Sequence, residues 1–536
     1  MLLRQLVVLP PQTVPWWRVR HLLLLNFTLL VPFISQSVVG FDGKLITAET
    51  PRDMADHVEG SMMNGLQSLP QWRAYFNDPS SRILGSINAV YPVGKILGLV
   101  SSAFFGDRFG RRFPFYQGLF FLTISAALQG ATQNTAMFIV SRLLIGYGTG
   151  CVIQTCPILV SELSYPTHRG RFASLYFSTY ASSYISGYVG SFLAAWITYG
   201  TFRINSTFAW RIPSILQGAI PVVQAFLAWV VPESPRWLIS KGRVEEARQI
   251  LIKYHAGGDA SSPLVAFEMQ EIRKSIEEEM VYSKSSYLDL FRTAANRRRT
   301  TIAAIIGFYG SWAGNSVISY YLSLVLNTIG IEDVASQTLI NALLQVFSWL
   351  CAIAAGTMID RIGRRPLWLI SAVGMCVSFV IWTILSSRFD ATKEEAMGRA
   401  VLAFIFIYTL FFTIGISPMS YAYPIELYQY SLRGRGLSFS NSITMCGLIL
   451  GMFVNPLALT DIGWRYYIVF CVLLGLMIIL VFFLFPETKG RTLEEIVEIF
   501  EGPKANEADA GDDELKVEQI HAEYVDEQKG ETRFMS

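Results

Sequence analysis

A charged motif that occurs twice constrains this chain more than any other feature. Gly-Asp-Arg-Phe-Gly-Arg-Arg at residues 106–112 returns as Ile-Asp-Arg-Ile-Gly-Arg-Arg at residues 359–365, so that Asp107 and Asp360 are 253 positions apart. Three further motifs are paired: Glu162 and Arg169 with Glu426 and Arg433, Pro232-Glu233-Ser234 with Pro486-Glu487-Thr488, and Trp210-Arg211 with Trp464-Arg465. Motifs repeated at a long spacing indicate two homologous halves of about 250 residues.

The composition is that of a membrane protein. Hydrophobic residues make up 52% of the 536 residues, charged residues only 16%, and the mean hydropathy is +0.38, whereas a soluble chain carries about 25% charge. A helix of about 20 apolar residues spans a bilayer and satisfies its own backbone hydrogen bonds. Twelve apolar runs of this kind lie at residues 22–43, 83–105, 113–132, 135–157, 171–196, 210–231, 301–327, 336–358, 366–387, 398–422, 435–458 and 464–485.

We therefore predict an all-α membrane protein of twelve helices in two six-helix halves, with cytoplasmic helices between them. Such a duplication is the usual build of a secondary transporter. The predicted parts are an N-terminal segment at 1–21, a first bundle at 22–231, linker helices at 232–299, a second bundle at 300–486 and a tail at 487–536.

The basic residues predict the orientation in the membrane. Short loops on one side carry Arg108, Arg111, Arg112, Arg169, Arg171, Arg361, Arg364, Arg365, Arg433 and Arg435, and the opposite loops carry Arg203, Arg388, Lys393 and Arg399. Because cytoplasmic loops are enriched in Lys and Arg, the motif loops and both termini are expected in the cytoplasm. The sequon Asn205-Ser206-Thr207 then lies outside, where Asn205 is a candidate for glycosylation.

Other function classes find little support in the sequence. The net charge of +2 and the scattered basic clusters argue against a nucleic-acid partner. The six cysteines have neither the spacing of a metal site nor that of a disulfide framework. No phosphate loop or nucleophile motif is present, so we expect no enzyme, metal or cofactor.

Three motifs together resemble the sugar porter family of the major facilitator superfamily. They are the doubled motif, Pro232-Glu233-Ser234-Pro235-Arg236-Trp237, and Pro486-Glu487-Thr488-Lys489-Gly490. The resemblance implies a fold that moves sugars by alternating access, in many members together with protons.

A narrower likeness is to fungal disaccharide permeases of the lactose and cellodextrin branch, which implies a disaccharide substrate. It rests on Trp210-Arg211-Ile212-Pro213, Lys253-Tyr254-His255-Ala256 with Gly258-Asp259, Ser286-Tyr287-Leu288-Asp289, and Gly314-Asn315 before Ser319-Tyr320-Tyr321.

Asp42 and Arg142 are charged residues inside apolar runs. An ionised group at mid-bilayer costs several kcal/mol unless it is paired, and it usually marks a substrate or proton path. An acid of the first span beside an arginine of the fourth resembles the proton-coupling site of the family. The resemblance implies that protonation of Asp42 from outside releases Arg142. The alternative is a purely structural ion pair.

The charged groups of the motif loops are candidates for a cytoplasmic gate. They are Asp107, Arg108, Arg111, Arg112, Glu162, Arg169, Asp360, Arg361, Arg364, Arg365, Glu426 and Arg433. Ion pairs among them would tie the two halves together when the outside is open. The alternative, that the charges only set the topology, explains the arginines but not the paired acids.

The sugar site of the family uses amides and aromatic rings, because hydroxyls both donate and accept hydrogen bonds and sugar faces stack on flat side chains. Candidate contacts are Tyr180, Tyr184, Trp312, Asn315, Asn341, Gln345, Tyr421, Asn441 and Asn455. Several family amides are replaced here, among them by Phe177, Tyr184, Gly310-Ser311 and Thr444. This departure makes monosaccharide specificity doubtful and leaves open a longer sugar or weak or absent transport.

Lys44–Gly60 interrupts the first span with a charged run. Deleting these 17 residues joins Asp42-Gly43 to Ser61-Met62-Met63-Asn64, which resembles an unbroken span of the disaccharide branch. The codons of Gly43-Lys44 can form a sequence that resembles the start of a fungal intron, and those of Ala55-Asp56 can form one that resembles a branch site. We hypothesise a retained intron in the gene model; the alternative is a genuine extracellular insertion.

The sequence thus favours a plasma-membrane proton–sugar symporter whose partners are a small sugar, a proton and the bilayer. Two alternatives stay open: a sugar sensor on the same fold, and a facilitative uniporter that needs no proton.

Overall fold

The computed structural model describes residues 19–42, 61–165, 179–282, 287–428, 430–489, 496 and 499–501. All regular elements in this part of the chain are helices, so the predicted all-α fold is confirmed. Lys44–Gly60, the hypothesised insertion, lies outside the described residues.

The first half of the chain contributes nine of these α-helices. They are α1 (Arg20–Asp42), α2 (Ser61–Ser68), α3 (Pro70–Tyr75), α4 (Ser81–Phe109), α5 (Arg112–Gly130), α6 (Thr135–Leu163), α7 (Thr179–Thr201), α8 (Phe208–Leu216) and α9 (Ala219–Leu227), followed by a 3-10 turn at Ala228–Val230. The linker adds α10 (Pro235–Ser240), α11 (Val244–Tyr254), α12 (Pro263–Tyr282) and α13 (Asp289–Arg292).

The second half begins with two helices that form one broken span. The helices are α14 (Ala294–Trp312), α15 (Asn315–Thr328), α16 (Val334–Ile362), α17 (Arg364–Thr392), α18 (Glu395–Phe411), α19 (Ser417–Leu427), α20 (Tyr430–Ile462) and α21 (Tyr467–Leu484). A π-turn at Phe412–Ile416 joins α18 to α19, and a 3-10 turn at Gly463–Tyr466 joins α20 to α21.

Glycines bring α4 and α6 into backbone contact. A Cβ added to Gly94 would lie 2.1 Å from the carbonyl oxygen of Leu143, and one added to Gly146 would lie 2.1 Å from the carbonyl oxygen of Tyr91. Small residues allow membrane helices to approach this closely, which increases van der Waals contact where no hydrophobic drive exists.

The two pieces on either side of residues 44–60 share one neighbour. Both α1 and α2 pack against α7, and Gly65 of α2 lies against the side chain of Thr198. A single span divided into two parts would lie along its neighbour in this way.

Several helix pairs join the halves: α7 with α16, α4 with α20, and α2 with both α15 and α16. Seven stretches of the described helices are apolar and long enough to cross a membrane, and one of them, Arg435–Leu484, covers most of α20 and all of α21. The spans of the second half include a break at Gly314, whose φ of 100° separates α14 from α15.

Candidate functional site

Asn64 joins the two halves on the side opposite the motif loops. This residue of α2 is 2% exposed, and its Nδ2 donates to the carbonyl oxygens of Ile318 at 3.0 Å and Ser319 at 2.6 Å. The backbone N–H of Leu322 donates back to Asn64 Oδ1 at 3.2 Å. Tyr321 is non-helical, with φ −132° and ψ 26°, so the local break in α15 leaves backbone groups that one amide satisfies.

The sequence prediction missed Asn64. Its only signal was a polar residue in an apolar segment, because its partners are more than 250 positions away. The contact holds the outer ends of α2 and α15 together. The structure is therefore closed between these two helices on that side.

The second half buries all five amides among the predicted sugar contacts: Asn315, Asn341, Gln345, Asn441 and Asn455. Asn315 begins α15, Asn341 and Gln345 lie one turn apart on α16, and Asn441 lies on α20. All are at most 8% exposed. Gln345 Oε1 and Asn441 Nδ2 have no hydrogen-bond partner in the part of the chain that the structure describes. Buried amides in this condition can bind the hydroxyls of a sugar.

Two of the candidates make contacts within the second half. Trp312 donates its indole N–H to the carbonyl oxygen of Gly447 at 2.9 Å. The Asn455 amide donates to Ser316 Oγ at 3.0 Å and accepts from the Tyr466 hydroxyl at 2.7 Å, so both of its ends hold α20 against neighbouring segments. Tyr180, Tyr184 and Tyr421 lie on α7 and α19, and their side chains are outside the described part.

Arg142 is a fully buried cation of α6. Its guanidinium lies 5.0 Å from the ring centroid of Tyr91 on α4. Asp42 is the last residue of α1, a helix that packs against α6, but its side chain is outside the described part. The helices that carry the predicted proton-coupling pair are therefore neighbours.

Lys95 is a second buried cation that the sequence prediction overlooked. It lies one turn after Tyr91 on α4 and is 0% exposed. The signal was present, since a lysine inside the apolar run 83–105 is costly unless an anion balances it. The first half thus buries two cations on adjacent helices.

Glu233 organises the motif loop of the first half. Its carboxylate accepts the backbone N–H groups of Arg111 at 2.9 Å, Arg112 at 3.2 Å and Ser234 at 2.8 Å. Arg111 pairs in turn with Asp107 at 2.8 Å and, more loosely, with Glu162 at 3.9 Å. One carboxylate therefore fixes the turn that presents the arginines.

Glu487 occupies the same position in the second half. It accepts the backbone N–H groups of Arg364 and Arg365, both at 3.0 Å, and of Lys489 at 2.8 Å. The Arg364 guanidinium lies 3.1 Å from Glu426, which also accepts a hydrogen bond from the Thr488 hydroxyl. The paired motifs of the sequence thus meet in one cluster per half.

The remaining gate candidates make local contacts or lie outside the description. Arg108 lies over the Phe109 ring, Arg112 donates to the Tyr116 hydroxyl, and Arg365 donates to the Phe482 carbonyl. The backbone carbonyl of Arg361 accepts a hydrogen bond from the Lys489 side-chain ammonium. The side chains of Arg169, Asp360 and Arg433 are not described. Among the described residues, every ion pair of the gate set joins groups of one half.

His255 anchors the linker helices beneath the first half. Its Nδ1 lies 2.8 Å from Glu268 of α12, and its Nε2 lies 3.2 Å from the carbonyl oxygen of Leu163 at the end of α6. The two ring nitrogens therefore contact two different segments of the chain. The linker is thereby tied to the helix that carries Arg142.

Residues 39–500 match the family model described as "Sugar (and other) transporter". The chain belongs to this family. The sugar porter resemblance is confirmed, and the protein is a multi-pass membrane protein of a family of transporters rather than enzymes.

Relatives of this sugar transporter are known in several fungi. It is 30% identical over 461 residues to the high-affinity glucose transporter of Kluyveromyces lactis, covering 81% of this chain and 80% of the relative. It is 30% identical over 430 residues to the MFS-type transporter oryC of Aspergillus oryzae, covering 78% of this chain and 77% of the relative. The narrower likeness to disaccharide permeases stays a prediction.

The fold of the sugar transporter is that of solved major facilitator proteins. The inward-open xylose transporter XylE from E. coli superposes with a TM-score of 0.69 over 89% of this chain and all of that chain, at 20% identity. XylE bound to 6-bromo-6-deoxy-D-glucose, titled a proton:xylose symporter, gives 0.65 over 89% of this chain and 99% of that chain, also at 20% identity.

Proposed function

We propose that this sugar transporter takes up a disaccharide together with a proton across the plasma membrane, by alternating access. The observation that carries the proposal is the Asn64 contact between α2 and α15. It closes the outer side, while the described ion pairs on the motif side stay within their own halves. This is the arrangement of a carrier whose cavity opens toward the cytoplasm.

Proton coupling is assigned to Asp42 and Arg142. Burial raises the proton affinity of a carboxylate, and a nearby guanidinium lowers it. Protonation of Asp42 from outside would release Arg142 and allow the bundles to rock, and deprotonation would follow inside. Support comes from the full burial of Arg142 and from the packing of α1 against α6.

The sugar site is assigned to the cleft faces of α15, α16 and α20. Asn315, Asn341, Gln345 and Asn441 would bind the hydroxyls, and Tyr180, Tyr184, Trp312 and Tyr421 would supply ring faces. The buried amides with open hydrogen-bonding capacity support this assignment. Relatives named as glucose transporters make glucose the competing substrate.

The cytoplasmic gate belongs to the opposite state of the cycle. The gate arginines and acids would exchange their present partners for groups of the other half when α2 and α15 separate. The clusters around Glu233 and Glu487 would position those arginines in both states.

Uptake of labelled lactose, cellobiose and glucose into transporter-deficient yeast tests the substrate and the coupling. We expect disaccharide uptake that an uncoupler abolishes and that Asp42→Asn reduces at least about tenfold, since loss of the coupling group removes the proton drive. Uptake that ignores the uncoupler would point to a uniporter. Uptake of glucose but of neither disaccharide would contradict the proposed disaccharide substrate. No uptake of any of the three sugars would favour a sensor.

The Asn64 contact has its own test. Asn64→Ala removes three hydrogen bonds and should shift the equilibrium toward the outward-open state by about 2–4 kcal/mol. Gln71→Ala, on the neighbouring α3, is the control. Labelling of a cysteine placed at Asn315 by a membrane-impermeant reagent measures the shift. Equal labelling in both variants would contradict the assigned role.

We also infer that residues 44–60 are absent from the working transporter. Messenger RNA sequenced across this region should lack the 17 codons, and a protein without them should transport faster than the full chain. A transcript that retains the codons in all reads would show that the insertion is genuine.

A further inference from the structure

We propose that the transporter has a second, outer binding site for a neutral sugar, in the cavity between α2–α3 and α15–α16. The inference rests on the proposed function, because it assumes that the outer face meets sugars. It concerns a place separate from the buried amides assigned to transport.

The cavity has a volume of about 350 Å³ and lies at the outer ends of the helices. This size is at the low end of small-molecule pockets and suits a single sugar unit. Both halves contribute to its walls, which include Gln67, Arg73, Asp78, Ser323, Glu332 and Gln337.

The Gln67 side chain is the main evidence for a ligand in this cavity. It lines the cavity and is 3% exposed, yet among the described residues neither its Nε2 nor its Oε1 has a hydrogen-bond partner. Buried amides are almost always satisfied, and an unsatisfied one is costly. A sugar hydroxyl donates and accepts at one atom, so neighbouring hydroxyls can satisfy both ends of the amide.

The other walls favour a neutral polar ligand. The Gln337 amide is held by hydrogen bonds from its Nε2 to Asn327 Oδ1 at 2.6 Å and to the Ile331 carbonyl at 2.8 Å, which gives the wall a fixed polar surface. Arg73 lies 3.7 Å from Asp78, so its charge is largely balanced. With Glu332 also at the wall, an anionic ligand such as a sugar phosphate is disfavoured.

The site depends on the conformation of the transporter. Gln67 lies one turn after Asn64 on α2, and Ser323 follows the break in α15 that Asn64 caps. The walls meet only while α2 and α15 are together. A sugar bound here would therefore stabilise the outside-closed state, and sugar at high external concentration would slow its own uptake.

The test uses purified full-length wild type, Gln67→Ala and the control Gln71→Ala, whose side chain lies one turn further along and is not part of the wall. Equilibrium dialysis with radiolabelled glucose counts the classes of binding sites, and the thermal midpoint verifies folding. We expect Gln67→Ala to lose one class through an affinity loss of at least about tenfold, while Gln71→Ala keeps it. Identical binding in the two variants would overturn the proposal.

A second measurement does not depend on the fold of the Gln67 variant. A cysteine replacing Arg73 at the cavity wall is labelled from outside by an impermeant maleimide, with and without glucose. Glucose should slow labelling at least about threefold while an equal concentration of glucose 6-phosphate leaves it unchanged. No protection by glucose, or equal protection by both, would overturn the proposal. Glucose binding at the outer site in a protein that shows no uptake would refute transport but not this site. Uptake by a protein without an outer site would refute the site but not transport.

Discussion

The two motif loops have the same backbone design but opposite proton affinities. Glu233 and Glu487 each accept three backbone N–H groups, two of them from the corresponding arginine pairs and the third from Ser234 in the first half and Lys489 in the second. Burial raises the pKa of Glu233 despite those hydrogen bonds. Burial also acts on Glu487, but there the backbone hydrogen bonds from Lys489, Arg364 and Arg365 outweigh it and lower the pKa. The repeated sequence therefore determines that each glutamate accepts backbone N–H groups, and the surroundings of the glutamate determine the direction of its pKa shift.

The difference in burial comes from the linker. Ser234 caps α10 by accepting the Trp237 N–H, and the Trp237 indole donates to the Asp107 carbonyl at 3.1 Å. These contacts cover the first-half cluster. Glu162 beside it is also affected, since burial raises the pKa of its carboxyl while Arg111 opposes the effect.

The largest expected effect distinguishes Glu233→Ala from Glu487→Ala. Each change leaves three N–H donors without an acceptor, but only at Glu233 does burial outweigh the hydrogen bonds to the carboxylate. We expect a loss of about 3–5 kcal/mol of stability for Glu233→Ala and about 1–2 kcal/mol for Glu487→Ala. Thermal unfolding of the purified variants measures both, and equal losses would show that burial does not distinguish the clusters.

The glycine before each arginine pair gives a second, smaller contrast. Gly110 and Gly363 have φ values of 101° and 103°. A Cβ on Gly110 would lie 2.3 Å from Glu233 Oε2, whereas one on Gly363 would lie 3.1 Å from Glu487 Oε2. Both Ala variants bear about 1–2 kcal/mol of backbone strain. Gly110→Ala should also displace the Glu233 carboxylate and therefore lose more stability than Gly363→Ala. A Gly363→Ala variant less stable than Gly110→Ala would contradict the geometry.

The pH dependence of stability should run in opposite directions. A lowered pKa means that Glu487 stabilises the fold above its ordinary value of 4.5, and this contribution is lost as the pH falls through the folded-state value. A raised pKa means that ionising Glu233 reduces stability as the pH rises from 4.5 toward the folded-state value. Melting of wild type, Glu233→Gln and Glu487→Gln between pH 4 and 8 provides the comparison. If the melting temperatures of the two variants depended on pH in the same way, the predicted opposite effects would be refuted.

The smallest expected effect comes from Trp237→Phe. The change keeps an aromatic ring over the first-half cluster and removes only the indole N–H, so we expect a loss of about 1 kcal/mol. Water reaching Asp107 should also bring the pH profile of the first half closer to that of the second. Trp464→Phe, in the turn between α20 and α21 and away from the Glu487 cluster, controls for the general cost of replacing a tryptophan. An equal change there would argue against a special role for the linker.

Much of the fold could be predicted from the sequence because its signals are local. Apolar runs such as 83–105 predict membrane spans, and the doubled motif predicts a duplication. Neither prediction depends on how the helices pack. The charged members of the motif clusters were also recognisable. Their organiser was not, since Glu233 appeared only as part of a repeated Pro-Glu-Ser and its partners are more than 120 positions away.

The candidate site was less predictable. Asn315, Asn341 and Gln345 were identified as amides in apolar runs, and they are indeed buried. Asn64 and Lys95 were missed because the importance of a polar residue in a membrane helix depends on what the opposite helix presents. His255 was noted only as part of a motif, and its pairing with Glu268 required the linker to fold back under α6.

The sequence by itself determined the duplication, the helical membrane architecture and the family, because each follows from patterns along a single segment. Only the tertiary structure decided that Asn64 closes the outer side, that Gln67 lies beside a cavity with no partner among the described residues, and that Glu233 and Glu487 have opposite pKa shifts. These properties depend on burial and on hydrogen bonds between distant segments. Burial is set by neighbours in space, and a repeat in the sequence does not specify those neighbours.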